Sequence, residues 1–269
     1  VYIVGGVVRD LILGRDIQDL DLMVEGDGIF FARKLAKEIG VKKVVPFEKF
    51  GTALIPNKLF QIEIASSRSE TYSSASRSPS KVKFTNLEED LKRRDFTINA
   101  MAMDIHPESF GKIHDPFGGQ NHLKEGLLKT PLDSGKTFSD EPLRMMRAAY
   151  FASKLNFKLD SECRAAITNQ SDRISIVSWE RIREELIKTL STSKPSVGLV
   201  IMQKTGLLKT VFPEIDIMYD MNQSAEWHHK DIFAHTLQVV DNAAKLTDKM
   251  EIRFAALVHD IAKPVTRRI

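Results

Sequence analysis

Cysteine is nearly absent: Cys163 stands alone among 269 residues. A lone thiol forms no internal disulfide, and the surrounding DSECRAAI offers no activating neighbour, so Cys163 reads as structural. Long apolar runs are missing too, since no stretch approaches the roughly 20 residues that a membrane-spanning helix requires. The opening VYIVGGVVRD lacks the basic-then-apolar layout of a secretory signal. These absences argue against a membrane or secreted protein and predict a cytoplasmic one. No sign of charge dominates: 39 basic residues face 36 acidic ones, a net +3. That balance permits a polyanionic partner without requiring one, so charge has to be read locally. With 42% hydrophobic and 28% charged residues, disorder, collagen and coiled coil are excluded, and the length allows two or more domains. The chain opens directly on VYIV and closes on HDIAKPVTRRI after an apolar helix, so it reads as a window on a longer protein.

What is present falls into two textures. Up to about residue 135, period-two or fully apolar runs predict strands at Tyr2 to Val4, Leu20 to Val24, Thr52 to Ile55 and Leu59 to Ile64. Helical spacing marks Ile29 to Ile39 between them. From Phe138 onward helices dominate, predicted at Asp140 to Leu155, Ser161 to Asn169, Ser178 to Leu190, Pro195 to Lys204, Ile232 to Leu246 and Lys249 to Ile261. The serine-rich segment Ser66 to Lys83 has almost no apolar residues and predicts a mobile loop. No repeat of 20 to 50 residues is visible.

Four groups of residues carry chemistry. Gly5-Gly6-Val7-Val8-Arg9-Asp10 follows a strand and opens a helix, where glycines let backbone N–H groups approach a phosphate. The pair serves equally as a structural turn, and it is neither a Walker loop nor a dinucleotide fingerprint. Asp19-Leu20-Asp21 places two carboxylates at i and i+2 of a strand, on one face, where they can share divalent cations. A third carboxylate, Glu63, is polar within an apolar strand and either joins them or faces solvent. In Arg93-Arg94-Asp95-Phe96-Thr97-Ile98-Asn99 the arginines suit phosphate. Asp95 and Asn99, at i and i+4 of a predicted helix, suit a ribose hydroxyl, unless Asp95 merely caps that helix. Asp140-Glu141-Pro142-Leu143-Arg144-Met145-Met146-Arg147 sets acid beside base at the start of the first long helix. This is either an ion pair or a base reader. In the second case the carboxylate accepts from an exocyclic amine and the guanidinium donates to the adjacent ring nitrogen, an edge that cytosine and adenine share.

GGVVRD, DLD, RRDFTINAMA and DEPLRMMRA, in this order across residues 1 to 150, resemble the class II tRNA nucleotidyltransferases. That family includes CCA-adding enzymes, CC-adding and A-adding relatives, and bacterial poly(A) polymerases. WERIREEL is similar to the family's neck helix. The resemblance implies an α+β fold: a polymerase-β-like head of mixed sheet with helices, followed by an all-helical neck and body and a partial HD-like domain. The implied boundaries are 1–135 for the head, 136–225 for neck and body, and 226–269 for the HD-like part. It implies Mg²⁺ on Asp19 and Asp21, as two ions, and triphosphate on Gly5, Gly6 and Arg9. Ribose and phosphate fall to Arg94, Asp95 and Asn99, and base recognition to Glu141 and Arg144 with Asp140 and Arg147 beside them. Glu63 would assist as base or third ligand. The implied partners are the tRNA 3′ end, CTP and ATP. The family's usual Glu-Asp-x-x-Arg reads Asp140-Glu141-Pro-Leu-Arg144 here, which places the longer acid where an aspartate is expected and bears on nucleotide selectivity.

Four of the seven histidines lie in Trp227-His228-His229-Lys230-Asp231-Ile232-Phe233-Ala234-His235 and Val258-His259-Asp260. Both stretches resemble HD-domain phosphohydrolases, which implies His235, His259 and Asp260 as ligands of a divalent metal. CCA addition is thus the leading expectation, with poly(A) synthesis, A-adding or CC-adding specialisation, and an HD phosphohydrolase as alternatives.

Overall fold

Side-chain alternation organises the N-terminal half. In Asp19–Val24 (β2), Leu20, Leu22 and Val24 turn to one face while Asp19, Asp21 and Met23 turn to the other. The computed structural model describes residues 1–17, 19–57, 61–73, 76–219 and 231–266. They form two units, Val1–Asp133 and Ser134–Ile269.

In the first unit, β2 lies inside a seven-stranded mixed sheet. The strands are β1 (Tyr2–Val4), β2, β3 (Val45–Phe47), β4 (Thr52–Ile55), β5 (Gln61–Ser66), β8 (Ala102–Asp104) and β9 (Ile113–His114), in the order β3-β4-β5-β2-β1-β8-β9. The β2–β5 pair is parallel, and the pairs β1–β2, β1–β8, β3–β4, β4–β5 and β8–β9 are antiparallel. On one face, Leu22, Val24, Ile62 and Ile64 bury against Ala32 and Ala36 of α2 (Gly28–Glu38), whose N-cap Asp27 accepts from Phe30 N–H at 2.9 Å. On the other, Met23 and Val4 pack with Leu91, Ala100 and Ala102. Leu91 belongs to α3 (Leu87–Lys92). α1 (Gly6–Ile12) follows β1 directly. The expected strand at Leu59 to Ile64 is β5; Leu59 and Phe60 lie outside the described residues.

The segment expected to be a loop at Ser66 to Lys83 is instead an antiparallel ribbon, β6 (Arg68–Ser73) with β7 (Ser76–Phe84), paired from Arg68↔Phe84 to Ser73↔Ser76. Its serine content hid this, because pairing satisfies backbone groups whatever the side chains are.

The second unit is helical. α5 (Ser134–Asp140) and α6 (Leu143–Leu155) are separate, which corrects the single helix expected from Asp140. Pro142, without an N–H, interrupts the ladder between them. α6 packs against α8 (Trp179–Leu190) and α9 (Ser196–Lys204), with α7 (Ser161–Gln170) against α5. Gly198 permits the α6–α9 approach: a Cβ there would sit 2.7 Å from both the Ala149 carbonyl and Ser153 Oγ, which instead accepts the Gly198 N–H at 2.8 Å. α10 (Leu207–Val211) and α11 (Pro213–Asp216) lead to α12 (Ile232–Leu246) and α13 (Met250–Val258). Buried Arg253 ties these to α8 by donating to the carbonyls of Leu190, Thr192, Ala244 and Thr247 at 2.8–3.0 Å. No helix among the described residues is long and apolar enough to cross a membrane.

Candidate active site and a second metal-ligand cluster

Parallel pairing of β2 with β5 sets Asp21 opposite Glu63 and Asp19 opposite Gln61. Register partners in adjacent strands share a face, so Asp19, Asp21 and Glu63 all project from the side away from α2. Asp19 and Glu63 are exposed and Asp21 is half-buried. The Asp21 carboxyl is pushed up to about 6, first by burial, then by the negative charge of Glu63, with Asp19 adding to it and Arg94 and Arg9 opposing. A face of mutually repelling oxygens flanked by cations suits a hard divalent cation, which takes oxygen ligands and relieves the repulsion. Asp19 and Asp21 could hold such an ion.

The turn after β1 borders this face. Gly5 has φ +71°, and a Cβ on it would lie 2.7 Å from Arg94 Nη1, so backbone freedom and close approach both call for glycine. Its N–H is spent on the Met101 carbonyl at 3.1 Å. Arg94 is held from behind by Asp90, which is 1% exposed: Oδ2 accepts from Arg94 Nη2 at 3.1 Å, and Oδ1 accepts from Arg93 Nη2 at 2.7 Å. Arg94 Nη1 also reaches the Asn99 carbonyl at 3.4 Å.

Arg9 turns inward. It is 3% exposed, forks onto Asp10 at 2.7 and 2.8 Å, and donates through Nη1 to Asn99 Oδ1 at 2.6 Å. Asn99 Nδ2 in turn donates to Asp95 Oδ1 at 3.0 Å. Asp95 and Asn99 therefore meet as their spacing predicts, but not on an α-helix. Asp95 precedes a 3₁₀ turn, Thr97–Asn99, and accepts the Phe96 N–H at 2.8 Å, so local side-chain bonding replaces the predicted helical start.

In the second unit, the acid–base contacts differ from those that spacing predicts. Asp140 ends α5 and pairs with Lys136 at 3.1 Å. Glu141 pairs with Arg181 of α8 at 3.3 Å, and its Oε1 accepts the Leu143 N–H at 3.4 Å. Arg144 Nη1 donates to the Thr137 carbonyl at 3.3 Å, and Arg147 lies over the Phe151 ring at 5.2 Å. The break at Pro142 rotates the two acids off the helix face that carries Arg144.

Among the described residues, His235, His259 and Asp260 form a group of three whose donor atoms all lie within 4.8 Å of one another. Asp260 Oδ2 is 3.2 Å from His259 Nε2 and 3.9 Å from His235 Nε2, and it takes Lys263 Nζ at 2.8 Å. His259 Nδ1 is held by the Ala256 carbonyl at 2.8 Å, which leaves Nε2 facing the cluster. Trp227, His228 and His229 lie outside the described residues.

Four residues escaped the sequence reading: Asp10, Asp90, Arg181 and Lys263. Asp90 was signalled by acid-to-base spacing at i+3 and i+4 in DLKRR. Arg181, 40 positions from Glu141, carried no local signal.

Comparison with known proteins follows this division. Residues 1–129 match the Poly A polymerase head domain, 156–218 the probable RNA and SrmB-binding site of polymerase A, and 232–269 the HD domain. The Multifunctional CCA protein of Vibrio campbellii is 38% identical over 275 residues, with 99% of this chain and 64% of that protein covered. A tRNA nucleotidyltransferase solved with a primer tRNA and an incoming ATP analog superposes with a TM-score of 0.76 at 30% identity, over 96% of this chain and 72% of that one. The CCA-adding enzyme of Thermotoga maritima complexed with tRNA-CCA gives a TM-score of 0.73 at 25% identity, over 99% and 62%. The chain belongs to the tRNA nucleotidyltransferase and poly(A) polymerase family. It spans 64% of the length of the curated relatives that it matches.

Proposed function

We propose that this chain is a template-independent nucleotidyltransferase acting in the cytoplasm, adding CMP and AMP from CTP and ATP to the 3′ end of tRNA. The observation that carries the proposal is the shared sheet face of Asp19, Asp21 and Glu63, bordered by the Gly5 turn and Arg94. Names and complexes among the relatives supply the substrate class: CCA proteins, tRNA primers and an ATP analog.

In this reading residues 1–135 are the catalytic head, 136–225 the neck and body that read the base and bind RNA, and 226–269 part of an HD-like domain. Asp19 and Asp21 would hold two Mg²⁺ ions, which supply Lewis acidity to an attacking hydroxyl and neutralise a triphosphate. The tRNA 3′-hydroxyl attacks the α-phosphate in line and pyrophosphate leaves. Glu63, beside Asp21, accepts the hydroxyl proton or adds a ligand oxygen. Gly5 and Gly6 let backbone lie against the phosphates, and Arg94, aimed by Asp90, holds them. Asp95 and Asn99 take the ribose. Glu141 accepts from the base's exocyclic amine and Arg144 donates to its ring nitrogen, with Asp140 and Arg147 flanking. Arg181 fixes the Glu141 carboxylate, which compensates for the added methylene.

The test is incorporation of labelled CTP and ATP into tRNA lacking its 3′ CCA, with Mg²⁺. Incorporation is expected, and Asp19→Ala with Asp21→Ala should abolish it; a double variant as active as the parent overturns the proposal.

A second reading has its own support in the convergence of His235, His259 and Asp260. That donor set suits a divalent transition metal and phosphate-ester hydrolysis. Metal-dependent phosphate release from 2′,3′-cyclic nucleotides, lost in His259→Ala, would establish it.

A further inference from the structure

Arg9 is unsuited to hold a triphosphate. It is 3% exposed, and two of its nitrogens fork onto Asp10 at 2.7 and 2.8 Å, so its charge is compensated by a carboxylate on the same helix. The third nitrogen, Nη1, points at Asn99 Oδ1, 2.6 Å away. A guanidinium has donors only and a carboxylate Oδ1 accepts, so the chemistry of the two neighbours fixes the Asn99 amide: oxygen toward Arg9, nitrogen toward Asp95 at 3.0 Å. Nδ2 carries two hydrogens. Asp95 takes one, and the other has no protein acceptor among the described residues.

We propose that Arg9 is a positioning residue for sugar recognition: it locks the Asn99 amide so that Nδ2 presents its second hydrogen to the nucleotide 2′-hydroxyl. Arg9 thereby sets the preference for ribonucleotides over 2′-deoxynucleotides and leaves the triphosphate to Arg94 and the Gly5 turn. Without the guanidinium the amide is free to turn over. Its oxygen would then oppose Asp95, and the donor would be lost from the sugar site. The inference rests on the reading of Asp95 and Asn99 as the ribose contact.

Two readouts separate the roles. The ratio of kcat/KM for ATP to that for 2′-dATP, on a tRNA primer, reports the sugar site. Inhibition by pyrophosphate, which has no sugar, reports the phosphate site. Arg9→Lys keeps a cation for Asp10 but cannot also reach Asn99. It should lower the ATP preference about tenfold, the worth of one hydrogen bond from a charged group, while the pyrophosphate Ki moves less than about twofold. Asn99→Asp, which keeps the shape and loses the donor, should lower the preference equally, and the two changes together should lower it no further. If Arg9→Lys does not fold, Arg9→Met with Asp10→Met removes the pair as a unit and carries the same test. A Ki raised tenfold with the sugar preference intact would make Arg9 a triphosphate ligand and overturn the inference. Loss of preference in Asn99→Asp but not in the Arg9 variants also overturns it, with the ribose reading intact. A preference unchanged in Asn99→Asp, or absent from the parent, overturns the ribose reading itself.

Discussion

Asp21 and Glu63 stand opposite each other on adjacent parallel strands, and the charge on Glu63 makes Asp21 harder to ionise. The Asp21 carboxyl is raised from 3.8 to about 6, so the folded state holds its proton more tightly than the unfolded chain does. Stability therefore falls as pH rises from about 4 to 6, and the deficit is complete above 6. Asp21→Asn, fixed in the neutral form, should be more stable than the parent at pH 8 by about 2 kcal/mol, after allowing for partial solvent screening. Below pH 4 the two should be equally stable. Urea denaturation of both proteins across this range checks the claim, and a difference independent of pH would contradict it. The same titration should tighten Mg²⁺ binding as pH rises through 6, since ligand oxygens bind the metal only when deprotonated.

Asp90 anchors two arginines with its two oxygens while itself nearly inaccessible. Asp90→Asn keeps the shape and leaves part-buried cations without a counter-charge, which should cost about 2–3 kcal/mol. Because Arg94 loses its backing, KM for both CTP and ATP should rise more than kcat falls. Asp90→Glu should recover part of the loss. Equal KM in parent and Asp90→Asn would show that Arg94 holds its place unaided.

Lys263 donates to the same Asp260 oxygen that faces His235 and His259, so an entering metal ion has to displace an ammonium. Lys263→Met should therefore tighten binding of a divalent transition metal about tenfold, the consequence of removing a competing charge near the surface. Calorimetric titration with Ni²⁺ or Co²⁺ measures this. His259→Ala should abolish the binding, and unchanged affinity in Lys263→Met would mean that the ammonium moves aside freely.

Much of this molecule was readable from local pattern. The alternation in DLDLMV located β2 and set both aspartates on one face, and the glycine pair located the turn after β1. The order of the remaining strands was not readable, because it depends on parallel pairing between β2 and β5 across a long connection. That pairing is what set Glu63 beside Asp21. The Ser66 to Lys83 ribbon was missed because composition reports side chains, while a hairpin is held by backbone. Asp140 and Glu141 were assigned to Arg144 by helical spacing. Pro142 broke that spacing, and the partner of Glu141 came from a distant helix. Arg9 shows the reverse limit: its position in the motif was plain, and its inward orientation depended on Asp10 and Asn99 together.

Nucleotide addition to tRNA is tested most directly by the product ladder from tRNA ending before CCA, given Mg²⁺ with CTP alone, ATP alone and both. Three added residues followed by a halt, only when both nucleotides are present, is the predicted result. A single adenosine, or a long adenosine tail, would reassign the chain within its family to A-addition or poly(A) synthesis. No extension under any of the three conditions would contradict the account.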